Sequence, residues 1–221
     1  MMKIACVIPA WNEEKNIINV VSAVKPFVWK TIVVDDCSQD KTASLVKKTE
    51  AILISHPINR GQGASLQTGN DYALSLGADI IVHFDGDNQF LAKEIEDMVK
   101  PIINNEADIV FGSRFLGRET NFPALKRYLI YPLAKIFTRL ILGVRLSDPQ
   151  NGFRAMNRLA AEKIIIANRE MAHNSEIQSK AFAYHLRIKE VPITVIYHHF
   201  GQKLSGGLKI IKDLFIYKLS K

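Results

Sequence analysis

Only two cysteines occur in the 221 residues, Cys6 and Cys37, and neither forms part of a CxxC or CxC pair. A disulfide framework or a thiolate metal centre is therefore not expected. Cys6 lies in an apolar run and reads as a small core residue. Cys37 sits in a polar turn, and reduced thiols suit the cytoplasm. No stretch approaches the roughly 18 uninterrupted apolar residues of a membrane span. The opening MMKIACVIPAWNEE turns charged too early for a secretory signal. The expectation is a cytoplasmic chain without a transmembrane helix. Lys and Arg outnumber Asp and Glu by 29 to 22, for a net charge of +7. The basic residues never gather into a block, which argues against a nucleic-acid-binding arm and leaves a phosphorylated ligand or an anionic lipid surface as partner. There is no GxxxxGK[ST], so a P-loop is excluded. NRGQG, residues 59–63, contains GxG but follows the third strand-like run and lacks the rest of a dinucleotide fingerprint.

What is present is alternation. Apolar runs KIACVIPA, KTIVVDD, AILIS, ADIIVHFD and ADIVFGSR are separated by helix-like segments. In the first of these helices Ile17, Val20, Val21 and Val24 recur at helical spacing. Asp40 is a candidate cap for the second, and Gly77 closes the third, GASLQTGNDYALSLG. LAKEIEDMVKPI is the fourth. Continuous apolar strands in βα alternation predict a mostly parallel sheet with helices on both faces. The second half is less regular. PALKRYLIYPLAKIFTRLILG reads as a long apolar helix interrupted by Pro132, SDPQNGFRAMNR as a turn-rich segment, and NSEIQSKAFAYHL as a helix. RIKEVPITVIYHHF reads as two short strands around Pro192, and GGLKIIKDLFIYKLSK as a terminal amphipathic helix. No repeat or linker divides the chain. One domain over 1–221 is expected, with residues 1–115 as a ligand-binding half and 116–221 as its elaboration.

In such sheets ligands bind beyond the carboxyl ends of the strands. The polar clusters PAWNEE, DDCSQD, NRGQG, DGDNQ and GSRF each follow a strand, so one rim collects them. Polar loops are ordinary there, but four carboxylates at two strand ends are not. Asp85 and Asp87, one residue apart past a buried strand, repel each other and pay for desolvation unless a cation sits between them. With Gln89 they offer oxygen ligands only, which suits Mg²⁺ or Mn²⁺ rather than zinc. Too few protein ligands are present for a closed cage, so water and ligand phosphates would complete the shell. Gly86 lets backbone or ligand approach closely.

VIPAWNEE, VVDDCSQD, NRGQGAS, DGDNQ, GSRF and DPQNGFRAMNR occur in the order seen in family 2 glycosyltransferases of the GT-A fold. Across about residues 3–200 the chain resembles the dolichyl-phosphate mannosyltransferase, or polyprenyl-phosphate glycosyltransferase, group. That resemblance implies a metal-dependent, inverting transfer of a mannose- or glucose-type sugar from a GDP- or UDP-linked donor to a polyprenyl phosphate. It implies that Pro9, Ala10, Asn12, Glu13 and Gly63 belong to the donor site and that Asp36 binds base or ribose. Asp85, Asp87 and Gln89 match the metal-binding pattern, with Gly86 between the carboxylates. Arg114 lies near the phosphates, Arg127 at the acceptor phosphate, and Asp148 and Arg154 in an acceptor-side motif. Three positions depart from the pattern: Gln62 stands where the family often carries lysine, DNQF replaces DLQHP, and an arginine expected near the late FGQKLS is missing.

The plainer roles stand beside these. One of Asp35 and Asp36 caps the next turn while the other meets ligand. Asp148 precedes Pro149 and suits an Asx turn. Glu176 falls at a helix start, where complementing the dipole is the default. Trp11 and Trp29 read as packing residues, and His198 and His199 as interfacial or core. Segments 123–142 and 206–220 mix basic and apolar positions, as helices on an anionic bilayer do, so peripheral association with the cytoplasmic face is expected, with a separate membrane-anchoring partner as an option. A phosphate acceptor, with a second pKa near 6, is already mostly dianionic and needs positioning rather than a base. A sugar hydroxyl, the alternative acceptor in polysaccharide or glycoprotein synthesis, would require a base, and Asp148 or Glu176 would supply it.

Overall fold

The computed structural model describes residues 2–117, 146–168 and 172–196. The expected helices over 123–142 and 206–220, Arg127, and His198 and His199 lie outside the described residues.

The chain begins with β1 (Ile4–Ala10), α1 (Ile17–Val24), β2 (Lys30–Asp35), α2 (Thr42–Val46) and β3 (Ile52–Ser55). It continues through α3 (Gln62–Ser75), β4 (Ile80–His83), α4 (Ile95–Ile103) and β5 (Ile109–Ser113). After the segment left undescribed come β6 (Arg154–Asn157), α5 (Arg158–Lys163), α6 (His173–Ala183) and β7 (Ile188–Pro192). The seven strands form one sheet in the order β3-β2-β1-β4-β6-β5-β7. β6 runs antiparallel to both neighbours, while β1 to β4 pair in parallel, as do β5 and β7.

Alternation along the strands divides the core into two layers. Cys6 and Ile8 of β1, Val33 of β2, and Ile80 and Val82 of β4 face one layer, where Ile17, Val20, Val24, Ile95 and Met98 pack from α1 and α4. Ala5 and Val7, Ile32 and Val34, and Ile81 face the other, against Leu66 and Ala73 of α3, Ala160 and Ala161 of α5, and Ile177 and Ala181 of α6. The apolar residues of α1 are those whose spacing marks its buried face. Gly77 adopts φ +81° and ends α3 as expected. Asp40 is not the cap of α2, whose N-cap position is Lys41 without a side-chain cap bond; from one residue earlier its Oδ1 accepts the Thr42 N–H at 2.9 Å.

Two departures from the expected elements stand out. The segment read as turns, SDPQNGFRAMNR, supplies β6 and the start of α5. Four residues beginning with arginine and ending with asparagine carry no period-2 signal. Arg154 is nevertheless fully buried, pairing in register with His83 and Phe111. Beyond Pro192 the second expected strand is represented, among the described residues, by one bridge, Val195 opposite Phe90. Trp11 and Trp29 are also exposed rather than packed; the Lys3 ammonium lies 5.0 Å from the Trp29 ring centre.

Helix α3 crosses the sheet closely because of Gly69. A Cβ there would stand 2.2 Å from Val7 Cγ1. In an exposed helix Gly→Ala adds about 1 kcal/mol of stability. Here Gly69→Ala is expected to reverse that sign and cost about 1–3 kcal/mol by overpacking, read from denaturant midpoints, with Val7→Ala restoring part of the loss.

Candidate active site

The carboxyl ends of β1 to β5 and the amino end of β6 meet at one rim, as the strand directions require. The loops after β1 and β2 are tied together there. Asn12, at φ 57°, donates its N–H to Ser38 Oγ at 2.9 Å, and its Oδ1 accepts the Gln39 N–H at 2.8 Å. The Glu13 N–H donates to Thr42 Oγ1 at 2.8 Å, and the Ala10 carbonyl accepts the Asp36 N–H at 2.8 Å. Pro9 and Ala10 end β1, buried.

The two aspartates after β2 divide their work. Asp36 accepts from the Arg60 and Gly61 N–H groups at 2.9 and 2.7 Å, and its Oδ1 lies 2.7 Å from His56 Nδ1. Its carboxylate is thus spent on the loop that leads into α3. Asp35 Oδ2 accepts the Ser38 N–H at 3.4 Å, and its buried Oδ1 has no hydrogen-bond partner. Gly63 is a packing position: a Cβ would fall 1.9 Å from the Asn168 carbonyl oxygen.

Asp85 follows β4. Phe84 and Phe90 bracket the 85–89 loop, and both pack on Phe153, with ring centres 5.1 to 5.7 Å apart. Gly86 packs beneath the Pro9 carbonyl, where a Cβ would come within 3.2 Å. Gly152 faces Asp85 so closely that a Cβ would lie 2.7 Å from Oδ2. Gln62 Nε2 donates to Asp85 Oδ1 at 3.0 Å. Desolvation raises the Asp85 pKa to about 7; Asp87 and Glu13 push it the same way, while Arg154 and Gln62 oppose them. Glu13 is raised as well, by burial first, then by Asp87 and Asp40, against an opposing hydrogen bond from Asn16. Asp87 Oδ1 accepts the Gln89 N–H at 3.1 Å, forming the tight turn in which Asn88 takes φ 61°. Among the described residues no three His, Cys, Asp or Glu side chains group as metal ligands. Two carboxylates, each raising the other's cost of ionisation, plus an amide oxygen nonetheless fit a hard cation that takes most of its shell from elsewhere.

Asp148 and Arg114 meet in a bidentate pair. Nε donates to Oδ2 at 2.6 Å, Nη2 to Oδ1 at 2.7 Å, and the Arg114 N–H to Oδ2 at 3.1 Å. A chain from Glu190 through Ser147 to Ser113 supports this pair, with Glu190 Oε1 accepting the Ser147 N–H at 2.8 Å. Glu176 is equally engaged. It accepts the Asn168 N–H at 2.7 Å, the Ala167 N–H at 3.1 Å and the Asn168 side-chain amide at 2.9 Å, and pairs with Lys180 at 2.6 Å. Burial raises its pKa, but the Lys180 and Asn168 donors outweigh burial and hold it below the ordinary carboxylate range. Arg154, expected on the acceptor side, lies under Asp85 instead, donating to the Gly152 carbonyl at 3.1 Å and to Asn174 Oδ1. Sequence reasoning missed Gly152, Asn174 and the buried His83–Asn70 contact at 2.7 Å; the glycine between Asn151 and Phe153 was the one available signal.

Solved structures share this architecture. Glucosyl-3-phosphoglycerate synthase from Mycobacterium tuberculosis, solved with Mn²⁺, UDP-glucose and phosphoglyceric acid, superposes with a TM-score of 0.76 at 21% identity over 98% of this chain and 80% of its own. The same enzyme solved with Mg²⁺ and UDP gives 0.76 at 20% identity. The sheet is therefore that of a GT-A glycosyltransferase. The family described as glycosyl transferase family 2 matches residues 5–165, and the chain belongs to it. An uncharacterized Methanocaldococcus jannaschii protein is 37% identical over 98% of this chain and 93% of its own length. The UDP-N-acetylglucosamine–dolichyl-phosphate N-acetylglucosaminyltransferase of Methanococcus voltae is 33% identical over 97% and 96%. The polyprenol monophosphomannose synthase of Mycolicibacterium smegmatis is 27% identical over 95% and 83%.

Glu176→Gln tests whether this carboxylate holds the 167–168 turn. At neutral pH the variant is expected to lose about 1–3 kcal/mol, the penalty for buried N–H groups left without an acceptor. A carboxylate with a depressed folded pKa contributes above its unfolded pKa and loses that contribution as pH falls through the folded value. The gap between the two proteins, measured by thermal unfolding, should therefore be flat above about pH 5 and close towards pH 3.

Proposed function

We propose that this enzyme transfers a sugar from a nucleoside-diphosphate donor to a polyprenyl phosphate, with a divalent cation at Asp85, Asp87 and Gln89. The observation that carries the acceptor is the state of the two candidate bases. Asp148 is filled by Arg114, and Glu176 by the 167–168 backbone and Lys180. A hydroxyl acceptor needs one of them free and basic. A phosphate monoester, mostly dianionic at neutral pH, needs neither. The names of the Methanococcus and Mycolicibacterium relatives, both transferases acting on polyprenyl phosphates, support the same acceptor.

The cation, when bound, neutralises the departing nucleoside diphosphate. The chain's own residues do the rest. Pro9, Ala10, Asn12 and Glu13 form one wall of the donor cleft. Asp36 shapes the far wall through the 60–61 backbone, which leaves the buried, unpartnered Asp35 Oδ1 as the group assigned to the base or ribose, a reassignment from Asp36. Asp148 holds the Arg114 guanidinium in one orientation at the rim, a positioning role rather than proton removal. Arg127 is assigned to the acceptor phosphate on the resemblance. Attack on the face opposite the leaving group inverts the anomeric centre. The donor is assigned mainly to the half over residues 1–115 and the acceptor mainly to the half over 116–221.

Transfer of labelled sugar from a panel of GDP- and UDP-sugars tests the reading, with a short polyprenyl phosphate, the matching polyprenol and a free glycan as acceptors. Label should move to the phosphate alone, should stop with EDTA, and should return with Mn²⁺ or Mg²⁺. Asp87→Ala should abolish it while thermal stability holds. Equal use of the polyprenol or glycan sinks the phosphate reading, and turnover by Asp87→Ala without metal sinks the cation.

No helix among the described residues is long and apolar enough to cross a membrane. The basic, apolar segments 123–142 and 206–220 support peripheral association, with a membrane-anchoring partner as a further option. Flotation on anionic liposomes should recover the protein at low salt and fail at high salt; no recovery at low salt removes this part.

A further inference from the structure

The Asp85 carboxylate faces charge of its own sign from Asp87 and Glu13, and two groups of the protein favour its charged form. The first, Gln62 Nε2 at 3.0 Å, is neutral. The second lies behind the rim. Arg154 is fully buried, its Nε occupied by the Gly152 carbonyl at 3.1 Å and one terminal nitrogen by Asn174. Its other terminal nitrogen, Nη1, is buried without a hydrogen-bond partner. Gly152 is also the residue whose absent side chain lets the Asp85 carboxylate close in to 2.7 Å of its Cβ position. One stretch of backbone thus separates the buried guanidinium from the half-buried carboxylate. Packing alone does not account for an arginine here, because an uncompensated buried charge costs several kcal/mol and an apolar side chain of similar volume would avoid it.

We propose that Arg154 is a positioning residue of the donor site, a fixed internal counter-charge that holds the Asp85 carboxylate in place at the rim from behind. A consequence rests on the cation reading above. Arg154 and a divalent cation act on the same carboxylate with the same sign, so the cation binds weakly by itself and well only when the donor diphosphate adds negative charge.

The test is a double-mutant cycle on the full chain by thermal unfolding in EDTA, using Arg154→Met, Asp85→Asn and the pair. Arg154→Met should be strongly destabilised, and adding Asp85→Asn should recover part of the loss, because the amide needs no counter-charge. Arg154→Lys, which keeps the charge and loses the fork, should stay closer to the parent than Arg154→Met. Additive losses, or Lys and Met equally damaging, overturn the proposal, since a role confined to Asn174 and packing predicts both. If Arg154→Met does not fold, a folded double variant supports the proposal and an unfolded one overturns it. A second arm adds MnCl₂ without nucleotide, which should raise the Tm of Arg154→Met more than that of the parent. Coupling in EDTA without any Mn²⁺ effect upholds Arg154 as counter-charge and counts against the cation, so the two readings fail separately.

Discussion

Holding like charges together at the end of a buried strand is the constraint on which the rest of this structure depends. Asp85 and Asp87 repel, and burial adds to the cost of ionising Asp85. The fold meets that cost with geometry. β6 enters the sheet in reverse beside β4, so its amino end, rather than its carboxyl end, reaches the rim. That reversal puts Gly152 against the carboxylate and Arg154 beneath it. The Phe84, Phe90 and Phe153 rings then pin the loop at both ends and the incoming strand at its start. Apolar contact fixes the position, and the charges act from it.

The acidic residues of the rim fall into two kinds, and the distinction carries the chemistry. Asp36, Asp40, Asp148 and Glu176 accept from backbone or guanidinium donors and hold loops. Glu94 does the same for the 194 turn beside Phe90, accepting the Thr194 N–H at 3.0 Å. A carboxylate whose oxygens are taken up by such donors is committed to holding them in place. Asp85 and the unpartnered oxygen of Asp35 are the other kind, the one half-buried beside like charge and the other buried without a donor. Such groups are where a cation or a ligand donor gains most on binding.

Much of this was legible in the sequence, and the limits have physical causes. Strands buried on both faces read as apolar runs, so β1 to β5 and their helices were found, as was the rim that collects their polar ends. The carboxylate pair at the end of β4 was visible because two such groups past a buried strand are expensive. β6 was not legible because its four residues carry no alternation and its first is a buried arginine. The division between Asp35 and Asp36 was not legible either. Adjacent residues on a strand point to opposite faces, and which face meets the 60–61 backbone is set by the register of β2 against β3, where Asp35 lies opposite Ser55.

Arg154 shows why a motif does not assign a side of the site. A sequence motif orders residues along the chain, and the acceptor-side reading treated Asp148 and Arg154 as one unit. In space they separate within six residues. Asp148 stays at the rim, bidentate to Arg114, while the chain turns at Asn151, whose side-chain oxygen accepts the Phe153 N–H at 2.8 Å, and carries Arg154 into the sheet. One guanidinium is thereby held at the rim by a carboxylate, and another stands behind a carboxylate that must remain open. Exchanging the two would fill Asp85 with donors and leave Asp148 free. That would spend the carboxylate that faces like charge and release one able to act as a base. The arrangement found does the opposite, and it is the one an acceptor that arrives already charged requires.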